Sequence, residues 1–278
     1  KTRMQVQNEL VSRSAFRCSQ ELIYSNTFQA MARMVKEEGL MSIQKGLCPS
    51  ICSQILITGV RFGSFPKVRG LLTDMQMPGA TPVAGMFCGM LGISFGMPFY
   101  LLKCQMQTQS DAGHKSIGVV RRARYSSMAT GFRTILAEGG VASLWRGVDA
   151  AMIRVALGSA AQLSTYHLAM ESLVRNFPLL QDQRIACSFF SSMLAGIAIV
   201  ASNHPFDVVT TRMCNQDATK RTYTNTFTCL RLTLAAEGLP GLYKGAFANW
   251  CRAGPHTTYC FVFLESFKQL ADKQGVLR

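Results

Sequence analysis

The sequence predicts an all-α membrane protein built from three homologous repeats of about 100 residues. Three observations carry the prediction. The first is a recurring stretch anchored on proline. Pro205-Phe206-Asp207-Val208-Val209-Thr210-Thr211-Arg212 closes one long apolar run, Pro98-Phe99-Tyr100-Leu101-Leu102-Lys103-Cys104-Gln105 closes another, and Lys1-Thr2-Arg3-Met4-Gln5 matches the tail of the same pattern. Aligned, Lys1, Lys103 and Thr210 share one position, 102 and 107 residues apart. The second is a landmark after each copy: Glu38-Gly39 before Gln44-Lys45-Gly46, Gly139-Gly140 before Trp145-Arg146-Gly147, and Glu237-Gly238 before Tyr243-Lys244-Gly245. The closing glycines lie 101 and 98 residues apart. The third is hydropathy. Met75 to Leu102 has no charged residue and Ile185 to Phe206 holds only His204 as a possible charge, so both runs are long enough to span a bilayer. The repeats then cover residues 1–71, 72–177 and 178–278.

Taken in order, Lys1 to Gln7 reads as the end of a first span whose front, with its proline and acidic residue, is expected before Lys1. Thr27 to Glu38 places Phe28, Met31, Met34 and Val35 on one stripe and reads as a helix on the membrane surface, stopped at Gly39. The second span, Cys48 to Val68, carries Gln54, Thr58 and Arg61 at helical spacing; such a stripe must face protein or water rather than lipid. The third, Thr81 to Met106, has Gly85, Gly89, Gly92 and Gly96 at helix-turn spacing, which lets a neighbouring helix approach closely. His114 to Arg124 is a basic loop, and Ser127 to Glu138 repeats the surface helix. The fourth span, Ala150 to Leu173, presents Arg154, Gly158, Gln162 and Thr165 along one side. The fifth, Arg184 to Met213, carries the third motif, whose proline removes a backbone donor and bends the helix. Thr226 to Glu237 is the third surface helix, and the sixth span, Ala246 to Leu264, sets Asn249, Arg252, His256 and Tyr259 on one stripe.

With 48% hydrophobic residues, 15 Met and a mean hydropathy of +0.15, the chain is too apolar for an average soluble domain and too charged for a purely lipid-facing bundle. A net charge of +14 beside apolar spans fits anionic headgroups and an anionic solute, and not nucleic acid, which needs a basic surface on a soluble fold. The ten Cys form neither a CxxC pair nor a metal spacing, so no metal or disulfide framework is expected. No nucleophile and base pair, metal cluster or phosphate loop appears, which argues against an enzyme. His256, near Arg252, reads as a polar lining residue.

Seven residues past the closing glycines stand Ser53, Arg154 and Arg252, which threefold repetition puts at one depth around a common axis. Two arginines at mid-span depth are costly unless water and an anion meet them. Asp207 and Glu265 are the acids well inside the spans, and both belong to motifs.

These repeats resemble the mitochondrial carrier family, solute carrier family 25, over nearly the whole chain. The resemblance implies six tilted helices in a barrel around a central cavity, three surface helices on the matrix side, and a multi-pass place in the mitochondrial inner membrane. In the family the motif is proline, any, acidic, two of any, basic, any, basic, and its charges close a matrix gate between repeats. By position, Asp207 is expected to pair with Lys1, Lys103 with the acid before Lys1, and the uncharged Tyr100 with Thr210. Gln5 and Gln107 match the bracing glutamine, and Cys214 departs from it. The cytoplasmic gate reduces to Glu265 with Arg69; Leu264-Glu265-Ser266-Phe267-Lys268 nearly keeps its pattern, Lys268 included, and Tyr166 to Met170 lacks both charges. Fewer bridges imply a lower barrier between the two closed forms.

The family's solute contacts fall on Ser53 and Gln54, Arg154 and Val155, and Arg252 and Ala253, with Arg61, Gln162 and His256 nearby. The segments Arg154 to Gln162 and Arg252 to Thr257 look like the oxaloacetate and dicarboxylate branch, and the paired neutral motif residues look like members 34 and 35 of solute carrier family 25. The corners Trp145-Arg146-Gly147 and Tyr243-Lys244-Gly245 match those that hold cardiolipin in the family, as a structural lipid. The resemblance implies a monomer that carries a small anion, dicarboxylate-like or sulfate, by alternating access and exchange. Its rivals are an uncoupling-type proton or fatty-acid leak, marked by proton flux without counter-substrate, and a scaffold or receptor, marked by stability that no solute raises.

Overall fold

Hydropathy marks where a helix is apolar, whereas the backbone ladder continues into its polar ends, so the long helices exceed the expected spans. In the computed structural model they are α1 (Leu47–Asp74), α2 (Ala80–Thr108), α4 (Val148–Asn176), α5 (Arg184–Asn215) and α7 (Ala246–Lys273). Two short helices, α3 (Met128–Gly139) and α6 (Thr226–Leu242), fall where surface helices are expected, and α6 is broken at Gly238, whose φ of 67° and ψ of −169° are not helical. The structure describes residues 44–77, 79–110, 121–122, 125, 127–176, 184–216 and 223–273, with single positions 2, 5, 29, 32, 35, 36 and 39. Most of the first motif, the first surface helix and the basic loop lie outside them. A 3-10 turn, Val141–Trp145, precedes α4, and Gln109–Ser110 pairs in parallel with Arg121–Arg122. Two segments, Ala80–Thr108 and Ala186–Asn215, are apolar and long enough to cross a membrane by length and composition. Of the other long helices, α1 carries Arg61 near its middle, while α4 and α7 carry Arg154 and Arg252 about two turns from their starts.

The repeat landmarks recur as conformations. Gly39, Gly140 and Gly238 have φ of 80°, 67° and 67°, and Gly46, Gly147 and Gly245 have φ of 78°, 81° and 77°. This left-handed region costs a residue with a Cβ about 1 kcal/mol or more, so glycine fixes one helix stop and one helix start per repeat. At the other end of α3, Ser127 makes a capping box with Thr130. The motif prolines Pro98 and Pro205 sit inside α2 and α5 without ending them.

The chain forms two compact units, Lys1–Ala156 with Pro205–Gly245, and Leu157–His204 with Ala246–Arg278. In the first, α1 lies directly on the glycine stripe of α2. A Cβ on Gly92 would stand 2.6 Å from the Ile57 carbonyl oxygen of α1, whereas one on Gly89 would stand 2.8 Å from Val155 Cγ1 of α4. Gly85 faces open space, so the approach needs the later glycines of the expected stripe. Gly92→Ala is therefore expected to destabilise by about 1–3 kcal/mol or more, because the obstructing atom is backbone, whereas Gly85→Ala changes little; thermal unfolding of the two variants checks this. Around this contact Ile93, Met97, Leu101, Leu102, Ile135, Leu144, Ala151 and Cys214 form the main core. In the second unit, Gly158 of α4 faces Asn203 of α5, and Tyr166 and Ser188 hydroxyls meet at 3.0 Å.

Candidate functional site

Asp207, 2% exposed on α5, is the centre of a buried polar knot in the first unit. Its helix continues through Pro205, which aims the carboxylate inward among side chains of α2, α4 and the first motif. Gln5 Nε2 donates to Asp207 Oδ2 over 2.8 Å, and Thr211 donates to Gln5 Oε1 over 2.9 Å. The other bracing position, Gln107, accepts from the Thr2 hydroxyl at 2.9 Å. Lys1 lies outside the described residues.

Two sequence expectations change here. Thr210 donates to the carbonyl of Phe206 at 2.7 Å, the usual fate of a threonine hydroxyl inside a helix, rather than meeting Tyr100. The Tyr100 ring is faced by cations instead: Arg154 stands 5.6 Å and Lys103 5.9 Å from its centroid. An aromatic face at the position where the family carries an acid attracts both without adding a charge. Second, Arg154 Nη1 comes within 3.8 Å of Asp207 Oδ1, so this acid faces Arg154 as well as its motif partners. Arg154 keeps 18% side-chain exposure, and its buried Nε has no hydrogen-bond partner among the described residues.

The remaining solute positions divide by environment. Ser53 is 2% exposed and points at the Gly96 carbonyl over 3.5 Å, so its hydroxyl is turned to the backbone of α2, and Val155 is half-buried against Gly89. Gln54 is exposed, and Arg61 and Gln162 are half-buried. In the second unit Arg252 and His256 are exposed along α7 with Ala253 half-buried between them. Arg252 Nη2 donates to Asn249 Oδ1 at 3.2 Å. Arg69 is exposed on α1, and the side chains of Glu265 and Lys268 lie outside the described residues.

The family model described as mitochondrial carrier protein matches residues 1–76, 77–177 and 181–275. The chain belongs to the mitochondrial carrier family. It is similar to the mitochondrial oxaloacetate transport protein of Saccharomyces cerevisiae, 32% identical over 97% of this chain and 82% of the relative. It is also similar to solute carrier family 25 member 35 of Homo sapiens, 32% identical over 97% of this chain and 90% of the relative. Mitochondrial citrate transporter E of Aspergillus niger is 31% identical over 92% of this chain and 81% of the relative. This carrier is thus a multi-pass protein of the mitochondrial inner membrane and a transporter, not an enzyme.

The carrier also holds an ionic group that reading the sequence does not single out. Arg212, 2% exposed, donates from Nη2 to Glu237 Oε1 at 2.7 Å, from Nη1 to Thr233 at 3.1 Å and from Nε to the Gln5 carbonyl at 3.3 Å. Lys244 Nζ meets the other oxygen, Glu237 Oε2, at 2.8 Å. The signal was present in two places: Arg212 ends the third motif, and Glu237 precedes the helix-stop glycine. In the second repeat those positions are Gln105 and Gly139, so both charges are absent together and no buried ion is left alone. There Gln105 bonds Tyr125 and the Cys214 carbonyl, both at 2.9 Å. At the corners, Arg146 donates to the Gln216 carbonyl at 2.8 Å and Trp145 Nε1 to the Ser94 carbonyl at 2.8 Å, while Tyr243 is exposed.

Proposed function

We propose that this carrier moves a small carboxylate or sulfate-like anion by alternating access, as a monomer, with Arg154 and Arg252 as its anion contacts. The observation that carries this reading is Arg154, a half-buried side chain whose buried Nε has no hydrogen-bond partner among the described residues and whose ion-pair contact with Asp207 Oδ1 is 3.8 Å long. Guanidinium–carboxylate hydrogen bonds run at about 2.7–2.9 Å and are often bidentate, so Asp207 leaves most of the donor capacity of Arg154 for a solute. The aromatic face of Tyr100 holds the cation without neutralising it. Relatives named for oxaloacetate and citrate transport support a solute with more than one carboxylate.

On this reading Arg154 belongs to the solute site and the gate at once. A carboxylate that takes Arg154 withdraws it from Asp207, so binding alters the charges that hold the gate closed. A ligand shifts such an equilibrium only by binding one state better than the other, and this contact supplies the difference. The free amides at the starts of α4 and α7, after Gly147 and Gly245, are proposed to hold cardiolipin phosphates. The test of transport is uptake into proteoliposomes of oxaloacetate, malonate and sulfate, beside an adenine nucleotide and an amino acid. Saturable uptake of the anions is expected. Proton flux without counter-substrate would replace this reading by the leak, and absence of any flux by the scaffold.

A further inference from the structure

Inside the second unit, α5 and α7 meet through three polar side chains in series. Asn249 is 3% exposed and His204 fully buried. Arg252 Nη2 stands 3.2 Å from Asn249 Oδ1, and Asn249 Nδ2 stands 3.3 Å from His204 Nδ1. A guanidinium only donates, so the amide oxygen of Asn249 must face Arg252 and its NH2 must face the imidazole. His204 then has to accept at Nδ1, which requires the neutral ring with its proton on Nε2. The order of donors along the chain fixes every orientation in it.

The fold does not demand this arrangement. The equivalent positions of the second repeat are Met97, just before Pro98, and Ala151, four residues past Gly147; both are fully buried in the main core. An apolar pair therefore fills the site one repeat earlier. We propose that Asn249, held by neutral His204, is the positioning residue that aims Arg252 at the transported anion. The inference rests on Arg252 being an anion contact. An exposed arginine samples many rotamers, and fixing it beforehand lowers the entropy lost on binding. A neutral amide does this without consuming the charge, whereas a carboxylate at the same place would form an ion pair with Arg252 and compete with the solute.

The test is the kinetics of oxaloacetate uptake in proteoliposomes, with thermal unfolding of each variant as the check on folding. Asn249→Leu is expected to raise KM about tenfold or more while the maximal rate changes little, as loss of one hydrogen bond to a charged group implies. Asn249→Asp should raise KM at least as much, although it preserves the hydrogen bond. His204→Phe should behave as Asn249→Leu, and His204→Asn, whose amide oxygen stands where Nδ1 stood, should restore the original KM. If Asn249→Leu does not fold, the two His204 variants decide. An unchanged KM in Asn249→Leu or His204→Phe, with a raised KM in Arg252→Gln, overturns the positioning role alone. An unchanged KM in Arg252→Gln overturns the anion contact and this inference with it.

Discussion

Arg154→Gln is expected to lower oxaloacetate uptake about a hundredfold. Truncating one partner of a buried, hydrogen-bonded charge pair costs about 2–5 kcal/mol, and each 1.4 kcal/mol is about tenfold. Arg154→Lys should fall between the two, because an ammonium keeps the charge and loses the planar fork. Folding should survive both changes. Among the described residues Arg154 meets a ring face at 5.6 Å and a carboxylate oxygen at 3.8 Å, while Asp207 keeps its 2.8 Å bond from Gln5. Initial rates in proteoliposomes, read beside thermal unfolding, check the prediction; a native rate in a folded Arg154→Gln carrier removes this residue from the site.

Glu237→Leu should damage the carrier differently, through stability. It strands two cations. Lys244 has 21% side-chain exposure and can turn its head to water, but Arg212 has 2% and cannot. A buried charge left without its partner costs about 3–5 kcal/mol, which lowers Tm on the order of ten degrees for a chain of this size. The double change Arg212→Gln with Glu237→Gly, which copies the second repeat, should recover much of the loss. Thermal unfolding of the single and double variants measures the coupling, and additive losses would show that the pair is not a unit.

The repeat architecture was legible because it rests on local chemistry that recurs. Proline, the helix-stop glycine and the helix-start glycine are read from the chain directly, and both glycines take the same backbone sign in all three repeats. The glycine stripe on α2 was legible too, though not that Gly85 faces open space; that depends on where α1 ends its approach. What the sequence concealed were contacts between segments far apart in it. Nothing near Glu237 names Arg212, and nothing near Tyr100 names Arg154. The motif assigned Asp207 to Lys1 and Tyr100 to Thr210 by analogy of position. Tyr100 shows why position alone is insufficient: losing the acid did not leave an inert site, since an aromatic ring offers cations a face. Ser53 shows the converse, a polar residue at a solute position whose hydroxyl turns to a neighbouring backbone.

The central claim is that Arg154 is held loosely enough for an incoming anion to take it. The most direct measurement is the rise in Tm that oxaloacetate produces in purified wild-type, Tyr100→Phe and Tyr100→Asp carriers. A ligand at a hundred times its Kd stabilises the folded form by about 2.7 kcal/mol. The account predicts a rise that grows with concentration in wild type and in Tyr100→Phe, which keeps the ring face. It predicts none in Tyr100→Asp, whose new carboxylate would occupy Arg154 permanently. An equal rise in all three, or none in wild type, contradicts it.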